Sequence, residues 1–320
     1  MQLAVLGIDI AKSSFDVRLL SGTKNLSAQF SNNQEGFEAL RQWLDAQGVN
    51  ELHACMEATN RYWEDLADYL AVNHDVSVVN PMVIKGFAMS QLRRNKTDKL
   101  DALVIAEYCL KMQPKLWIAP SQTERDLKEQ VRYRQTLENT IRQHQSRLRD
   151  ARSKTLRDSI QRTIEQLEEE RKQLNKDIRE AVKADQRTKQ QVDLLTSIPG
   201  LAERTALRIL TEIGDLSNYD SASAVSADAG LSPSMYQSGT SIKRNPKLSK
   251  LGKASLRAAF YFPAITAMKF NPVIQSFAYR LKTKHKPSKV IIVAVMRKLL
   301  HIAYGVIKNN TPFDPFFAKT

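Results

Sequence analysis

The stretch "QLAVLGIDI", residues 2–10, is a short apolar run interrupted by one acid, Asp9. An apolar run of this length is typical of a buried strand. The next segment, "AKSSFDVRLLS" (11–21), alternates apolar and polar residues and predicts a second strand. "GTKN" (22–25) predicts a hairpin turn that leads into a third strand, "LSAQFSN" (26–32). The chain is therefore expected to begin with three strands of the hairpin type.

Beyond these strands, helical and strand patterns alternate. Helix periodicity at 33–48 and 61–74 is interleaved with strand-like runs at 51–58 and 75–81. Strands that alternate with helices build a sheet with helices packed against it. Together with the early hairpins, this order predicts a mixed α/β domain over residues 1–120.

The middle of the chain, residues 121–187, has no Gly or Pro, and its apolar residues recur at spacings of three, four and seven. This pattern predicts a coiled-coil arm or a helical hairpin. A turn is expected within "RDARSKTLRDS" (149–159), where the apolar stripe is missing. Periodicity leaves open whether the helices pair between subunits or pack within one subunit.

The last region, residues 188–320, is expected to be a mostly helical C-terminal domain. It begins with "LLTSIPGLAERTALRILTEIG" (194–214), in which Pro199-Gly200 separates two short helical patterns. This is the helix-hairpin-helix form, in which a tight Gly turn lets backbone N–H groups approach a phosphate. "FAYRLKTKHKPSK" (277–289) is expected to be a strongly basic loop in front of a buried C-terminal helix.

The composition is that of a soluble globular protein, with 42% hydrophobic and 26% charged residues among 320. The longest apolar stretch, residues 290–307, contains Arg297, Lys298 and His301, so no membrane span is expected. The N-terminus lacks the basic segment and cleavage site of a signal peptide. The two cysteines form no Cys/His cluster, which argues against structural zinc and against a disulfide framework. A cytoplasmic location is expected.

Charge is distributed unevenly along the chain. Residues 1–92 hold 6 Lys and Arg against 11 Asp and Glu, whereas residues 93–320 hold 42 against 23. A basic excess of this size favours a polyanionic partner, because cations that neutralise phosphates release counterions. Nucleic acid is therefore the expected partner of the basic part, and the acidic N-terminal segment needs a separate explanation.

Four acids stand out in the N-terminal region. Asp9 and Glu57 lie in apolar strand contexts, where a carboxylate is costly unless it is paired or bound to a cation. Asp98 and Asp101 are three residues apart at the start of a predicted helix, so they share one face of it. Oxygen ligands suit Mg²⁺, and a pair of Mg²⁺ ions about 3.5–4 Å apart clamps the attacking and leaving oxygens of a phosphodiester. The four acids are therefore predicted to hold Mg²⁺ for phosphodiester chemistry.

Each acid also has a simpler explanation. Asp9 could cap a turn after its strand, and Glu57 could pair with Arg61 one helical turn later. Asp98 could be the N-cap of its helix, with Asp101 favoured by the helix dipole. Taken one at a time, these simpler explanations are favoured. Four such acids together, in a chain suited to nucleic acid, favour the metal site.

Three N-terminal segments resemble the RuvC-like, RNase H-fold domain of the DEDD transposases. They are "GIDIAKSSFDV" (7–17), "CMEATNRYWEDL" (55–66) and "NPMVIKGFAMSQLRRNKTDKLDALVIAEY" (80–108). These transposases are the insertion-sequence-110 family, which includes the Piv-type DNA invertases. "YQSGTS" (236–241) and the helix-hairpin-helix segment are similar to the C-terminal transposase domain of the same family.

The resemblance implies a transposase or recombinase of an insertion sequence, which cuts and exchanges DNA strands. Asp9, Glu57, Asp98 and Asp101 match the metal-binding tetrad of the family, which implies Mg²⁺ as the cofactor. Ser238 matches the nucleophilic serine, which joins DNA through a phosphoserine. The implied partners are donor and target DNA, a structured bridge RNA that pairs with both, and further copies of the chain in a homodimer that assembles into a tetramer.

Nucleic-acid contacts are expected from several basic segments and from the glycine of the helix-hairpin-helix turn. These positions are Arg93, Arg94, Lys96, Lys99, Gly200, Lys243, Arg244, Lys282, Lys284 and Lys286. Ordinary solvated charge is the simpler role for the cations. Two rival functions remain open at this point. One is a Holliday-junction resolvase or nuclease that uses the same acids with water, and the other is a nucleic-acid scaffold without catalysis.

Overall fold

A computed structural model describes most of the chain. The described residues are 4–58, 61–91, 98–234, 237–238, 242–243, 247–249 and 251–316, with the backbone alone described at 98–100, 237–238, 242–243 and 247. The chain divides into two compact units, residues 1–120 and residues 121–320.

The first unit is built on a five-stranded mixed sheet with the strand order β3-β2-β1-β4-β5. The strands are β1 (Ala4–Ile10), β2 (Ser14–Ser21), β3 (Lys24–Ser31), β4 (Leu52–Glu57) and β5 (Asp75–Val79). β1, β2 and β3 are antiparallel neighbours, whereas β4 and β5 continue the sheet parallel to β1. The turn between β2 and β3 uses Gly22, whose φ of 58° is a backbone conformation that glycine adopts readily. The predicted mixed sheet and its early hairpins are confirmed.

Helices cover both faces of this sheet. They are α1 (Gln34–Ala46), α2 (Glu64–Leu70), α3 (Pro81–Ser90) and α4 (Asp98–Met112). Leu6 and Ile8 of β1 belong to the core beneath α1 and α2. Val5 of β1 and Cys55 of β4 belong to the core beneath α3 and α4. Successive strand residues point to opposite faces, so β1 and β4 contribute alternately to the two cores.

α4 lies directly on β1 at Gly7. A Cβ atom added to Gly7 would lie 2.2 Å from the carbonyl oxygen of Ala102 and 2.3 Å from the backbone nitrogen of Ala106. Only a residue without a side chain allows a helix and a strand to approach this closely. Gly7 therefore fixes the position of α4 over the middle of the sheet.

The second unit is mostly helical. Its helices are α5 (Gln122–Asp150), α6 (Lys154–Ala184), α7 (Gln186–Thr196), α8 (Glu203–Ile213), α9 (Ala222–Asp228), α10 (Ala254–Phe270), α11 (Pro272–Thr283) and α12 (Ser288–Asn309). Two short antiparallel ladders lie between α9 and α10 in the chain: β6 (Pro233–Ser234) pairs with β9 (Lys247–Leu248), and β7 (Gln237–Ser238) pairs with β8 (Ile242–Lys243).

α5 and α6 form a long helical hairpin that turns at residues 151–153, inside the segment predicted to contain the turn. Leu137 and Ile164 are buried along the hairpin. At the base of the hairpin, Leu127 and Ile178 join the core formed by the remaining helices of the unit. The two helices thus pack within one chain, and a coiled coil is not confirmed. Pairing of the arm between subunits and the division of the chain into three domains stay predictions.

α12 is the helix among the described residues that is long and apolar enough to cross a membrane. A core helix can meet the same criteria of length and composition, and α12 packs against α7, α9, α10 and α11. Its residues Ile291, Val295, Leu299 and Ala303 are buried in the core of the second unit. Packing inside the unit accounts for these apolar residues.

The prediction of a basic loop at 277–289 is wrong for most of this segment. Residues 277–283 are the last turns of α11, and only residues 284–287 connect α11 to α12. The Asn271 side chain caps the start of α11 by accepting hydrogen bonds from the backbone N–H groups of Val273 and Ile274, at 3.1 and 3.2 Å. The charge of the segment concealed this helix from the sequence analysis, although cations at the end of a helix interact favourably with its dipole.

Candidate active site at the carboxyl end of the parallel strands

A row of carboxylates crosses three neighbouring strands at one end of the first unit's sheet. The register pairs Asp9 of β1 with Asp16 of β2, and it pairs Ile8 with Met56 of β4, so that Glu57 comes next to Asp9. Adjacent strands lie about 4.8 Å apart. We call Asp16, Asp9 and Glu57 the carboxylate row. Because these acids alternate with residues of the opposite core, all three lie on the face that α4 covers.

Asp16 was missed by the sequence analysis. Its residue is only 8% exposed, and Gln29 Nε2 donates a hydrogen bond to its carboxylate at 2.9 Å. Like charges directly opposite each other on an antiparallel pair are destabilising, so two acids at this position favour a nearby cation. The signal was present in the sequence, because Phe15 and Val17 fix the face of Asp16. Only the register of β1 with β2, however, places it beside Asp9.

The first turn of α4 lies at the same end of the sheet as the carboxylate row. Ala102 and Ala106 sit over Gly7, and the Cys109 thiol lies 3.9 Å from the carbonyl oxygen of His53, where β4 begins. α4 therefore runs antiparallel to β1 and β4. Asp98 lies four residues before Ala102, a distance of about 6 Å along the helix. Asp9 lies two residues after Gly7, a distance of about 7 Å along the strand. The helix start at Asp98 is thus level with Asp9 along the sheet.

The oxygen donors at this end of the sheet fit a divalent cation such as Mg²⁺. Asp101 is half-buried in the first turn of α4, and Asp9 and Glu57 are half-buried at their strand ends. Among the described side chains, no group of three or more His, Cys, Asp and Glu is arranged to hold a metal ion. The carboxylate of Asp98 lies outside the described side chains, so the convergence of the four predicted ligands stays a prediction.

A pair of buried thiols lies beneath the carboxylates. Cys55 precedes Glu57 by two residues on the same face of β4, and its thiol contacts Cys109 of α4. The hydrogen bond between the thiols lowers the pKa of Cys109 and raises the pKa of Cys55. This contact links the strand that carries Glu57 to the helix that carries Asp101.

Ser238 lies in the second unit, in the short strand β7. Its backbone pairs with Ile242, and Gln237 pairs with Lys243, so Ser238 and Lys243 belong to one small hairpin. The side chains of both residues lie outside the described part of the structure, as does Arg244 altogether. The roles of Ser238, Lys243 and Arg244 stay predictions.

The other predicted nucleic-acid contacts fall into two groups. Arg93, Arg94 and Lys96 lie outside the described residues, and only the backbone of Lys99 is described, in the first turn of α4. The second group consists of Lys282 in the last turn of α11, Lys284 at its C-cap and Lys286 in the following link. All three lysines of this second group are exposed, and their contact with nucleic acid stays a prediction.

Gly200 packs inside the second unit. Its φ is 106°, and an added Cβ would lie 2.7 Å from the Cβ of Ala267 in α10. Asn271 also donates a hydrogen bond to the carbonyl oxygen of Pro199 at 3.4 Å. These contacts give the Pro199-Gly200 turn a packing role against α10. Its predicted contact with a phosphate is not tested by them.

Two family models match this chain. Residues 6–156 match a model described as "Transposase", and residues 192–279 match the "Transposase IS116/IS110/IS902 family". The chain is 36% identical over 318 residues to each of two "Pilin gene-inverting" proteins, from Moraxella bovis and Moraxella lacunata, with 98% of each chain covered. It is 26% identical over 121 residues to the "Insertion element IS110 uncharacterized 43.6 kDa protein" of Streptomyces coelicolor, which covers 38% of this chain and 30% of that protein.

The mixed sheet, which is consistent with an RNase H-like domain, and the two matched regions define the class of DNA transposases and invertases. Members of this class cleave and rejoin DNA, so DNA is the substrate. The chain belongs to the IS110/Piv family of this class.

Proposed function

We propose that this chain cuts and exchanges DNA strands with a Mg²⁺-binding carboxylate site and a serine nucleophile, directed by a guide RNA. The observation that carries the proposal is the strand register, which puts Asp9 beside Glu57 at the end of the sheet where α4 begins. Acids that are far apart in the sequence share one end of the sheet there, next to the first turn that contains Asp98 and Asp101. No single residue supports the proposal as strongly as this arrangement.

In the proposal, Asp9, Glu57, Asp98 and Asp101 are the ligands for a pair of Mg²⁺ ions. When bound, these ions supply Lewis-acid polarisation of the phosphodiester and stabilise charge on its attacking and leaving oxygens. Asp9 is held by the pairing of β1 with β2, Glu57 by the pairing of β4 with β5, and Asp101 by the packing of α4 on Gly7. Ligands held by rigid elements need little reorganisation when the substrate binds.

Ser238 is the proposed nucleophile. Its Oγ forms a bond to phosphorus and gives its proton to a base or to solvent, while the bond from phosphorus to the deoxyribose oxygen breaks and that oxygen takes the electron pair and a proton to leave as a hydroxyl. The phosphoserine ester conserves the energy of the cleaved bond. Attack on this ester by a hydroxyl of a second DNA strand rejoins the DNA and restores the serine, so no nucleotide cofactor is needed. Strand exchange requires several coordinated cuts, which favours a dimer that assembles into a tetramer.

Sequence choice is assigned to a structured RNA that pairs with donor and target DNA. Base pairing can specify a site while the protein holds the backbone and the shape of the duplex. The basic excess of the C-terminal part is suited to that role, because phosphate contacts supply affinity without reading sequence. Sequencing the RNA that co-purifies with the chain tests this step. One abundant structured species is expected, and a sample of random cellular RNA would contradict it.

Replacement of Ser238 with Ala tests the nucleophile. We expect Ser238→Ala to lose the covalent protein–DNA adduct, detected as a DNA-linked band after denaturation, while the affinity for DNA stays unchanged. Ser234→Ala, in the preceding strand β6, is the matched control and should retain the adduct. If Ser238→Ala still cleaves DNA at the wild-type rate, water is the nucleophile and the chain acts as a nuclease of the resolvase type.

A further inference from the structure

A polar cavity of about 300 Å³ lies in the second unit between α5, α6 and the first turn of α8. Among the described residues, four arginines, two glutamates and one asparagine line it, and no apolar residue does. We call this cavity the arginine pocket. Its volume is at the lower end of the range of about 300–1,000 Å³ that is usual for ligand sites. A lining of this kind suits a small anionic group.

Arg134 of α5 is a buried residue of the arginine pocket. It is only 7% exposed, yet no ion pair or hydrogen bond joins its guanidinium to another residue in the described part of the chain. Burial lowers the pKa of Arg134, an effect that Glu138 opposes and Arg204 reinforces. A guanidinium remains protonated at neutral pH all the same. A buried cation without a partner is unfavourable, so this position favours an anionic ligand.

The two acids of the pocket are engaged by other arginines. Glu138 accepts a hydrogen bond from Arg204 of α8. Glu203 lies 3.7 Å from the Nε atom of Arg179, within ion-pair distance. Arg134 and Arg171 are therefore the two cations of the pocket that have no carboxylate within ion-pair distance among the described residues. The pocket keeps a net positive charge after its internal pairs are counted.

The start of α8 adds to this positive potential. α8 has 11 residues, and its N-terminus at Ala202 has no side-chain cap from the residues that the structure describes. The first N–H groups of a helix have no acceptor within the helix, and the helix dipole makes that end partially positive. Glu203 and Arg204, in the first turn of α8, line the pocket. The helix start and the two unpaired guanidinium groups thus act on the same small volume.

We propose that the arginine pocket binds a phosphate group through Arg134 and Arg171, with the first turn of α8 contributing to the positive potential. A planar guanidinium group can donate two parallel hydrogen bonds to two oxygens of one phosphate. Arg179 and Arg204 are exposed at the rim, so the phosphate of a nucleic-acid backbone can reach the pocket from solvent. A free phosphate ligand would offer the same chemistry. The proposal is independent of the carboxylate site and of Ser238, because it concerns binding alone.

Two binding measurements on the full-length chain test the pocket. The first is calorimetric titration with inorganic pyrophosphate at low ionic strength. The second is the salt dependence of affinity for a duplex DNA and for a single-stranded RNA, measured by fluorescence anisotropy. The variants are Arg134→Gln and Arg171→Gln. Arg162→Gln, on an exposed position of α6 away from the pocket, is the matched control.

We expect the wild type and Arg162→Gln to bind pyrophosphate alike, and each pocket variant to bind it at least about tenfold more weakly, as expected for the loss of a charge-assisted contact. If the bound phosphate belongs to a nucleic-acid backbone, each pocket variant should also change the salt dependence of nucleic-acid affinity. The slope of log affinity against log salt concentration should then fall in magnitude by about one. Loss of pyrophosphate binding with an unchanged slope would support the pocket and assign it to a free phosphate ligand. Equal pyrophosphate binding and equal slopes in all the proteins would overturn the proposal. If Arg134→Gln loses its helical circular dichroism, the partly exposed Arg171→Gln decides the question.

Discussion

The two units of this chain carry opposite charge on different kinds of scaffold. Residues 1–120 contain 12 Lys and Arg against 14 Asp and Glu, whereas residues 121–320 contain 36 against 20. In the first unit, strand register gathers acids at one end of a sheet. In the second unit, arginines from different helices line a cavity. Arg171 and Arg179, for example, lie about two turns apart on α6 and both line it. The first arrangement suits chemistry on a phosphodiester, and the second suits holding a polyanion.

This comparison predicts that loss of a carboxylate at the end of the first unit's sheet abolishes the reaction and leaves DNA binding intact. The largest effect is expected for Asp9→Asn, which keeps the size of the side chain but removes its charge. We expect strand cleavage to fall on the order of 10³-fold or more, as for loss of a central catalytic group. Gel-based cleavage and anisotropy measure the two properties separately.

The matched control for Asp9→Asn is Asp65→Asn. Asp65 is an exposed acid of α2, a helix that packs on the opposite face of the sheet. The Asp65→Asn protein should cleave DNA at the wild-type rate. Equal activity of Asp9→Asn and the wild type would contradict the assignment of chemistry to the first unit.

The next largest effect is expected for Gly7→Ala. The added Cβ would overlap the backbone of α4 at Ala102 and Ala106, so the first unit should lose about 3 kcal/mol of its free energy of unfolding, or fail to fold. Trp43, Trp63 and Trp117, the three tryptophans of the chain, all lie in the first unit. Denaturant unfolding followed by tryptophan fluorescence therefore reports on that unit alone.

Gly86→Ala is the control for this prediction. Gly86 lies in α3, and apart from the backbone of its own helix an added Cβ would meet no atom of the described residues within 4 Å. Because alanine favours a helix over glycine, Gly86→Ala should stabilise the first unit by about 0.5–1 kcal/mol. A Gly7→Ala protein as stable as the wild type would show that α4 does not depend on this close contact.

The smallest effect is expected in the second unit, at the start of α7. Asp185 accepts hydrogen bonds from the backbone N–H of Thr188, at 3.0 Å, and from its hydroxyl. The hydroxyl contact is the main reason that the pKa of Asp185 is lowered from its usual value. Asp185→Ala should cost about 1 kcal/mol at neutral pH, measured by thermal unfolding followed by circular dichroism.

The pH dependence of this cap has a definite sign. A lowered pKa in the folded state stabilises the fold above the pKa of the unfolded state, and the stabilisation is lost as the pH falls towards the folded value. The difference between Asp185→Ala and the wild type should therefore shrink below about pH 4. Asp193→Ala, on an exposed position of the same helix, should differ little from the wild type at either pH. A difference for Asp185→Ala that does not change with pH would rule out the charged cap.

The periodicity of the sequence was sufficient for the five strands of the first unit, for most helices and for the hairpin of α5 and α6, but not for the short strands β6 to β9. It was not sufficient for the register between strands. Asp9 and Glu57 attracted attention as acids in apolar runs, but Asp16 read as an ordinary polar residue of an alternating strand. Its position opposite Asp9 depends on how the chain turns between β1 and β2, which is a matter of tertiary pairing.

Two further features were not predicted. The arginine pocket gathers residues from α5, α6 and α8, and no periodicity relates positions that are so far apart in the chain. The basic segment at 277–289 was read from its charge, although Ile274 and Ala278 already have helical spacing. The charge of residues 277–289 therefore led to the prediction of a loop, although the apolar residues on the buried face of α11 indicate a helix.

The central claim is that acids from β1, β4 and α4 share a divalent cation at the carboxyl end of the parallel strands. The most direct test is Mn²⁺ binding to the full-length chain without DNA, followed by electron paramagnetic resonance. We expect about two Mn²⁺ ions per chain in the wild type and in Asp65→Asn, with at least one site lost in Asp9→Asn and in Asp98→Asn. Identical Mn²⁺ binding in all four proteins would contradict the claim.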